Sequence, residues 1–289
     1  MWGVTKLRNK IYVLCRSIRS SYPTEIRVFE DRNSFGLQRQ IEIKEIKYPR
    51  DIRSYEKENC LYVSDYGMNC VWKITRETNN QHKIVNWLTT DLEPSNLSVS
   101  IDGQLLIVSK SPSILKIYQP DGKCIRSIRL PKDIVEPRHA AETSIGNFII
   151  IHEFMEKEEK EEDEDKGSWS SGRKKVTKCV VSELTRDGQM VIRRFLPSNE
   201  SQKLNDPFYL TLDSDDRVFL ADRENQRAVL LDSDLKWNRI LCPAKEDVEE
   251  TMIRWPQRLY YDEERKQLIV GGRDFYLREA INIYTLSRI

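Results

Sequence analysis

The chain has 289 residues, of which 32% are charged, with a formal net charge of +1 at pH 7 and a mean hydropathy of −0.61. No run of about 18 apolar residues occurs, which argues against a membrane-spanning helix. Lys6, Arg8 and Lys10 interrupt the apolar core that a signal peptide needs, so we expect a cytoplasmic protein.

The N-terminal part of the chain contains four short segments with strand character. They are residues 2–7, 10–15, 25–30 and 39–43, and each is rich in aliphatic, β-branched or aromatic side chains that alternate with polar ones. Polar and turn-forming residues separate the segments. The pattern predicts four consecutive β-strands.

The same four-strand unit recurs behind five prolines. The spacing is 45 residues from Pro49 to Pro94, 43 from Pro94 to Pro137 and 49 from Pro207 to Pro256. A repeat of this length, with four short strands per unit and little helical pattern, is typical of the blades of a β-propeller. Together with the N-terminal copy, the repeats predict an all-β, six-bladed propeller that forms a single domain over residues 1–289.

The repeats share their strands and turns. Residues 61–63 of blade two and 218–220 of blade five occupy the same strand position. Asp-Gly pairs at 102–103, 121–122 and 187–188 predict hairpin turns in blades three and four.

Blade four carries an insert. The interval from Pro137 to Pro207 is 70 residues, and the excess falls in residues 155–177, which are charge-dense and then rich in glycine and serine. This composition predicts a disordered segment. It lies between the second and third strands, so we expect it on the face that also carries the interblade connections, here called the connection face. We hypothesise that its acidic part competes in cis for a basic surface there.

The last repeat contains three strand patterns, in residues 258–262, 267–272 and 280–286, and then the sequence stops. The sixth blade therefore lacks an outer strand in this sequence. Three explanations stay open: a three-stranded blade, a borrowed strand, or a native chain that continues further. An uncovered strand edge is either a pairing hazard or a docking site.

A similar turn motif follows the second strand in two blades. Residues 63–74, VSDYGMNCVWKI, and residues 219–232, FLADRENQRAVLLD, resemble NHL repeats. We predict structural turn roles for the short polar side chains of these segments, which bond backbone amides and tolerate left-handed conformations: Asp65, Asn69, Asp222 and Asn225. Three blades have another residue at the aspartate position: Ser109, His152 and Gly271.

The resemblance implies a six-bladed propeller of the NHL type. Such propellers form the C-terminal substrate-binding or RNA-binding module of tripartite-motif ubiquitin ligases, and relatives occur in lactonases and an amidating lyase. No RING, B-box or coiled-coil pattern is present in this sequence. The resemblance therefore implies a non-enzymatic binding scaffold for a protein partner, such as the substrate-recognition module of a ubiquitin-ligase system.

Basic side chains concentrate in the loops predicted for the connection face. A basic face attracts anionic partners, so single-stranded RNA is an alternative to a protein partner. We expect a monomer that binds neither a membrane nor a small-molecule substrate. The candidate binding residues are Arg16, Arg19, Arg50, Lys110, Arg138, Arg223, Arg227 and Arg273.

A second alternative is a metal-dependent hydrolase or lyase with its ion at the mouth of the central channel. The third position of each proline-led repeat supplies the candidate side chains, of which an arginine and a tyrosine are poor ligands: Asp51, Asn96, His139, Tyr209 and Arg258. We therefore predict no catalytic residue, no metal and no cofactor.

Overall fold

The computed structural model describes residues 2–16, 23–30, 36–76, 82–155, 177–242, 253–274, 276 and 278–286. Its strands are β1 (Gly3–Leu7), β2 (Lys10–Arg16), β3 (Thr24–Glu30), β4 (Leu37–Ile43), β5 (Pro49–Tyr55), β6 (Cys60–Asp65), β7 (Cys70–Arg76), β8 (His82–Thr89), β9 (Leu97–Val99), β10 (Leu105–Ser109), β11 (Ile114–Tyr118), β12 (Cys124–Arg129), β13 (Val135–Glu142), β14 (Phe148–Met155), β15 (Thr177–Leu184), β16 (Val191–Arg194), β17 (Pro207–Leu212), β18 (Val218–Asp222), β19 (Arg227–Leu231), β20 (Trp237–Cys242), β21 (Trp255–Asp262), β22 (Gln267–Arg273) and β23 (Glu279–Thr285). Two single-turn 3-10 helices, Tyr66–Met68 and Glu200–Gln202, complete the regular structure of the described residues.

The described strands form six antiparallel sheets, five of four strands and one of three. Chain order is kept inside every sheet, from β1-β2-β3-β4 to β21-β22-β23. The first strands of consecutive sheets contact each other, and β21 contacts β1, so the six sheets close into a ring. The predicted all-β, six-bladed propeller is confirmed.

Each pair of neighbouring blades shares one apolar cluster. Blades one and two bury Ile26 and Ile52 in one cluster, and blades four and five bury Ile151 and Leu220 in another. Burial of one such side chain stabilises the fold by about 1.5–3 kcal/mol. The core of the molecule is therefore a set of interblade layers, as a repeat architecture requires.

The boundary between blades one and six, here called the seam, closes the ring. The buried ammonium of Lys6 on β1 forms an ion pair with Asp262 on β21. Nε of Arg258 donates a hydrogen bond to the carbonyl oxygen of Trp2 at 2.6 Å. On the outer side of β23 the described residues contain no further strand, so blade six has three strands in this part of the chain.

The direction of the strands fixes the two faces of the disc. Val135 at the start of β13 lies opposite Glu153 near the end of β14, and Met155 lies opposite Thr177 at the start of β15. The strand ends that flank the insert therefore lie on the connection face, as predicted. Residues 156–176 themselves, which include most of the predicted disordered insert, lie outside the described residues.

No helix in the described part of the chain has the length and apolar character that crossing a bilayer requires.

Candidate binding groove between blades four and five

The outer strand of blade four is unusually short. β16 has four residues and pairs only with Ser182–Leu184 of β15. In blade two, by contrast, β8 pairs with the whole of β7 from Cys70 to Arg76. The first half of β15, here called the open edge (Thr177–Val180), therefore has no strand on its outer side among the described residues.

The chain leaves the sheet directly after β16, and the local sequence explains why. The backbone amide of Phe195 still donates a hydrogen bond to the carbonyl oxygen of Val181 at 2.8 Å. Two residues later comes Pro197, which has no backbone N–H and cannot continue a ladder. The chain instead turns through the 3-10 helix Glu200–Gln202 before it enters blade five.

A cavity of about 630 Å³ lies in the space beside the open edge. Lys178, Cys179 and Val180 form one wall of this groove, and the loop that leads into blade five forms the other. The groove opens on the connection face, because it lies between the end of β16 and the start of β17.

The groove has an apolar lining. Phe195 is buried in the cluster between blades four and five, whereas the neighbouring Leu196 has 77% of its surface exposed. Phe154, Pro197 and Leu204 complete the apolar lining. An exposed leucine beside a concave apolar surface is typical of a binding site.

Charged side chains surround this lining. Arg138 forms an ion pair with Glu153, Nη2 to Oε1 at 3.1 Å, and a second one with Asp206. Arg194 pairs with Asp133, and its Cζ lies 4.5 Å from the centroid of the Phe154 ring. Four basic and two acidic side chains line the groove, and three of the basic ones pair with carboxylates in or beside it: Arg138, Lys178, Arg194, Lys203, Glu153 and Asp206.

Cys179 is the one thiol among the groove residues. Burial raises its pKa to about 11, with the Arg138 guanidinium acting in the opposite direction. The group is therefore a protonated thiol at neutral pH, which is a poor nucleophile. A protonated thiol of this kind can line a binding site.

The side chains at the third position of the repeats converge on the axis of the ring. The hydroxyl of Tyr209 donates to Oδ2 of Asp51 at 2.8 Å, and the backbone amide of Leu97 donates to the same oxygen at 2.9 Å. Blades two and five lie opposite each other, so the bond between Tyr209 and Asp51 crosses the axis. Nε of Arg258 lies 3.5 Å from Oδ1 of Asp51.

Histidine completes this axial cluster. The ring of His139 stacks on that of Tyr209, with centroids 4.1 Å apart. Its Nε2 lies 2.9 Å from the hydroxyl of Ser98, and its Nδ1 accepts from the amide of Leu210 at 3.2 Å. Burial lowers the pKa of His139 well below its usual value, and the charge of Arg53 acts in the same direction. The ring is therefore neutral and engaged in the chain's own contacts.

Asn96, like Asp51, His139 and Arg258, bonds to the backbone of a neighbouring blade: its Nδ2 donates to the carbonyl oxygen of Arg138 at 2.8 Å. Across the described residues, no group of three or more His, Cys, Asp or Glu side chains has an arrangement that could hold a metal ion.

The predicted turn aspartates bond to the interblade loops. Asp65 accepts hydrogen bonds from the amides of Lys47 and Tyr48 at 2.8 and 3.1 Å. Asp222 accepts from the amide of Asn205 at 2.7 Å and from Nδ2 of Asn225 at 2.8 Å. Both aspartates thus fix the loop that leads into their own blade.

The left-handed position of the two turns is occupied by different residue types. Asn69 has a φ of 48°, as an asparagine at this position favours. In blade five the left-handed residue is Gln226, with a φ of 53°, and Asn225 instead donates to the carbonyl oxygen of Lys203 at 2.8 Å.

The predicted basic residues have different surroundings. Lys110 and Arg273 are exposed, and Nζ of Lys110 lies 3.9 Å from Glu136. Cζ of Arg50 lies 4.2 Å from the ring centroid of Tyr66. Arg19 and the side chain of Arg16 lie outside the described residues.

Three other predicted arginines pair with the chain's own carboxylates. Arg138 bonds Glu153 and Asp206, as described above. Arg223 pairs with Asp206 at 2.5 Å, and Arg227 is buried with its Nε donating to Asp222 at 2.8 Å. The structure thus brings Arg138 and Arg223 together at Asp206, beside the groove. Their binding role stays a prediction.

Comparisons with known proteins agree on the fold. No protein-family model and no curated sequence matches the chain. Similar solved structures include the hydrazine synthase of Kuenenia stuttgartiensis, with a TM-score of 0.64 and 13% identity, covering 99% of this chain and 83% of that one. A chain of a nidogen/laminin complex has a TM-score of 0.57 and 14% identity, covering 91% and 90%. The virginiamycin B lyase of Staphylococcus aureus has a TM-score of 0.52 and 12% identity, covering 100% and 84%. At these identities the likeness shows the propeller fold alone, and the resemblance to NHL repeats stays a prediction.

Proposed function

We propose that the chain is a non-enzymatic binding scaffold whose connection face docks a protein partner through the groove between blades four and five. The observation that carries the proposal is the groove itself: an apolar lining with exposed Leu196, a rim with four basic side chains and an open strand edge in one concave surface. Pockets of this kind are the preferred binding sites of rigid scaffolds. The NHL resemblance adds the proposal that the partner is a substrate of a ubiquitin-ligase system.

The pairing of the arginines supports a protein partner over single-stranded RNA. Arg138, Arg223 and Arg227 already bond carboxylates of the same chain. An RNA phosphate would have to compete with these internal pairs, which lowers the gain from each contact. An apolar groove, in contrast, gains from the burial of a partner's apolar side chains.

The structural neighbours include both a chain from a nidogen/laminin complex and a lyase, so the fold leaves both classes of function open. The axial cluster supports the non-enzymatic proposal. Asp51 and His139 are the two strongest metal ligands at the third position. The carboxylate of Asp51 accepts hydrogen bonds from Tyr209 and Leu97, and the ring of His139 accepts one from Leu210.

The test is a selection of random peptides displayed on phage against the immobilised chain. Affinities of the selected peptides are then measured for the wild type, for Leu196→Asp and for Ile145→Asp. Ile145 is a matched control because it is 69% exposed and lies in a turn on the opposite face. We expect Leu196→Asp to weaken binding by about tenfold or more, because it places a charge in the apolar lining, and Ile145→Asp to leave it unchanged.

Three outcomes would overturn the proposal. The first is the absence of any selected peptide, and the second is a set of peptides that respond to Ile145→Asp and not to Leu196→Asp. The third is binding of a polyuridine oligonucleotide whose affinity falls steeply with salt and which displaces every selected peptide, since that behaviour is typical of RNA binding.

A further inference from the structure

On the open edge of blade four, the backbone groups of Cys179 have no ladder partner among the described residues. The amide of Phe195 donates to the carbonyl oxygen of Val181, so that carbonyl points away from β14. In an antiparallel strand the N–H and C=O of one residue point to the same side, and the side alternates along the chain. The N–H and C=O of Cys179 therefore point into the groove, while those of Val180 point towards β14.

The repeats show what normally occupies this place. In blades one, two, three and five, a fourth strand pairs along most of the third strand, for example β12 along all of β11. In blade four the equivalent position beside Thr177–Val180 is the cavity described above. An uncovered strand edge recruits another strand, and this is a recurring mode of peptide recognition.

We propose that the partner is an extended peptide segment that binds as an added strand along Thr177–Val180, in the position that β16 vacates. The inference rests on the proposed function and specifies how the groove is used. Four residues of strand extend over about 13 Å, so the added strand is short. Affinity comes from the backbone bonds at Cys179 together with the apolar side chains that the peptide places against Phe195, Leu196 and Leu204.

The charge of the groove defines the peptide further. The four basic side chains of the lining outnumber the two acidic ones. Lys203 at the rim forms an ion pair with Glu200 at 2.6 Å, but both side chains are exposed. Exposed pairs are weak, unlike the largely buried pairs of Arg138 and Arg227, so a peptide carboxylate can share this ammonium group. The preferred peptide therefore alternates apolar side chains, which face the lining, with at least one acidic side chain near Lys203. Side chains of a strand alternate between two sides, so both requirements are met by one extended segment.

The decisive variant is Cys179→Pro, compared with Cys179→Ala. Proline removes the N–H that points into the groove, and it removes no bond to β14 because that N–H points away from β14. Proline is tolerated at such edge positions. Alanine removes the same thiol and keeps the N–H. We expect Cys179→Pro to weaken the selected peptides by about tenfold, the loss of one backbone hydrogen bond, while Cys179→Ala binds as the wild type does.

Hydrogen exchange gives a second readout that needs no folded proline variant. Binding of a selected peptide to the wild type should slow exchange at the Cys179 amide and leave the Val180 amide, already bonded within the sheet, unchanged. N-methylation of the peptide, one residue at a time, should weaken binding by a similar factor, and at alternate positions only.

The outcomes separate the two proposals. Peptides that respond to Leu196→Asp, but neither to Cys179→Pro nor to N-methylation in an alternating pattern, would refute strand addition and retain the binding groove. Unchanged exchange at Cys179 on saturation with peptide would refute it as well. Failure to select any peptide would remove both proposals.

Discussion

Replacement of Asp51 by asparagine tests the axial cluster. The carboxylate is fully buried, and among the described residues it is the only acidic group in contact with Arg258. The side chain of Arg258 is itself only 2% exposed. Asparagine has the same shape, so the change keeps the packing and removes the charge together with one of the two acceptor oxygens. Arg258 then keeps a buried positive charge without its counter-ion.

The expected cost follows from this unpaired charge. Removing one partner of a buried ion pair destabilises a protein by about 3–5 kcal/mol. For a chain of this length, the entropy of unfolding is roughly 0.6 kcal/mol per kelvin, so the melting temperature should fall by about 5–8 °C. Burial lowers the pKa of Arg258 and Asp51 acts to raise it, but the guanidinium stays protonated at neutral pH.

The assay is a thermal melt at neutral pH of the wild type, Asp51→Asn, Arg258→Met and the double variant. Because methionine removes the unpaired charge, the double variant should be more stable than the sum of the single effects predicts, by about 1–3 kcal/mol. Lys110→Gln, on an exposed side chain, is the control and should change the stability by less than about 0.5 kcal/mol. Additive effects, or a shift of less than about 2 °C for Asp51→Asn, would refute the reasoning.

Two further predictions concern stability. Burial lowers the pKa of His152 to about 4, so below about pH 6.5 the unfolded chain binds a proton that the folded chain does not, and stability should fall by about 1.4 kcal/mol per pH unit down to the folded pKa. His152→Gln should reduce this slope by the same amount in urea unfolding curves recorded across that range, and equal slopes would contradict the assignment. Gly103 and Gly122 both have a positive φ, but an added Cβ would lie 2.3 Å from the Tyr55 hydroxyl oxygen at Gly103 and 3.3 Å from its nearest neighbour at Gly122. Gly103→Ala should therefore be the more destabilising of the two in the same assay, and equal costs would show that the turn conformation alone matters.

The repeat could be predicted from the sequence because the blades are built from the same order of short strands and turns. Alternating side chains, prolines and Asp-Gly turns are local signals, and they placed all six blades correctly. The prolines themselves have different positions: Pro49 begins its strand, whereas Pro94 precedes β9 and Pro137 is the third residue of β13. In blades two to six a proline lies at or near the start of the inner strand, because it lacks the N–H that an interior ladder position needs.

The sites were harder to predict because they depend on contacts between distant blades. The alignment of the repeats identified Asp51, His139 and Tyr209 as equivalent positions, but their bonds across the axis follow only from closure of the ring. The groove depends on where β16 stops. Pro197, two residues after the hydrogen bond of Phe195, was the available signal, and it is visible only when blade four is compared with its neighbours.

The seam differs from the other five boundaries in that none of the described polypeptide crosses it. Each remaining blade is tethered to the next by the chain, whereas blades one and six are joined by the Lys6–Asp262 pair, the Arg258 contact and a shared apolar cluster. A pulling force applied between β1 and β21 would act on the seam first, and its rupture breaks none of the described strand ladders. The ring should then open at the seam before any sheet unfolds. Single-molecule force traces should therefore contain an early, low-force event, and a disulfide across the seam should abolish it.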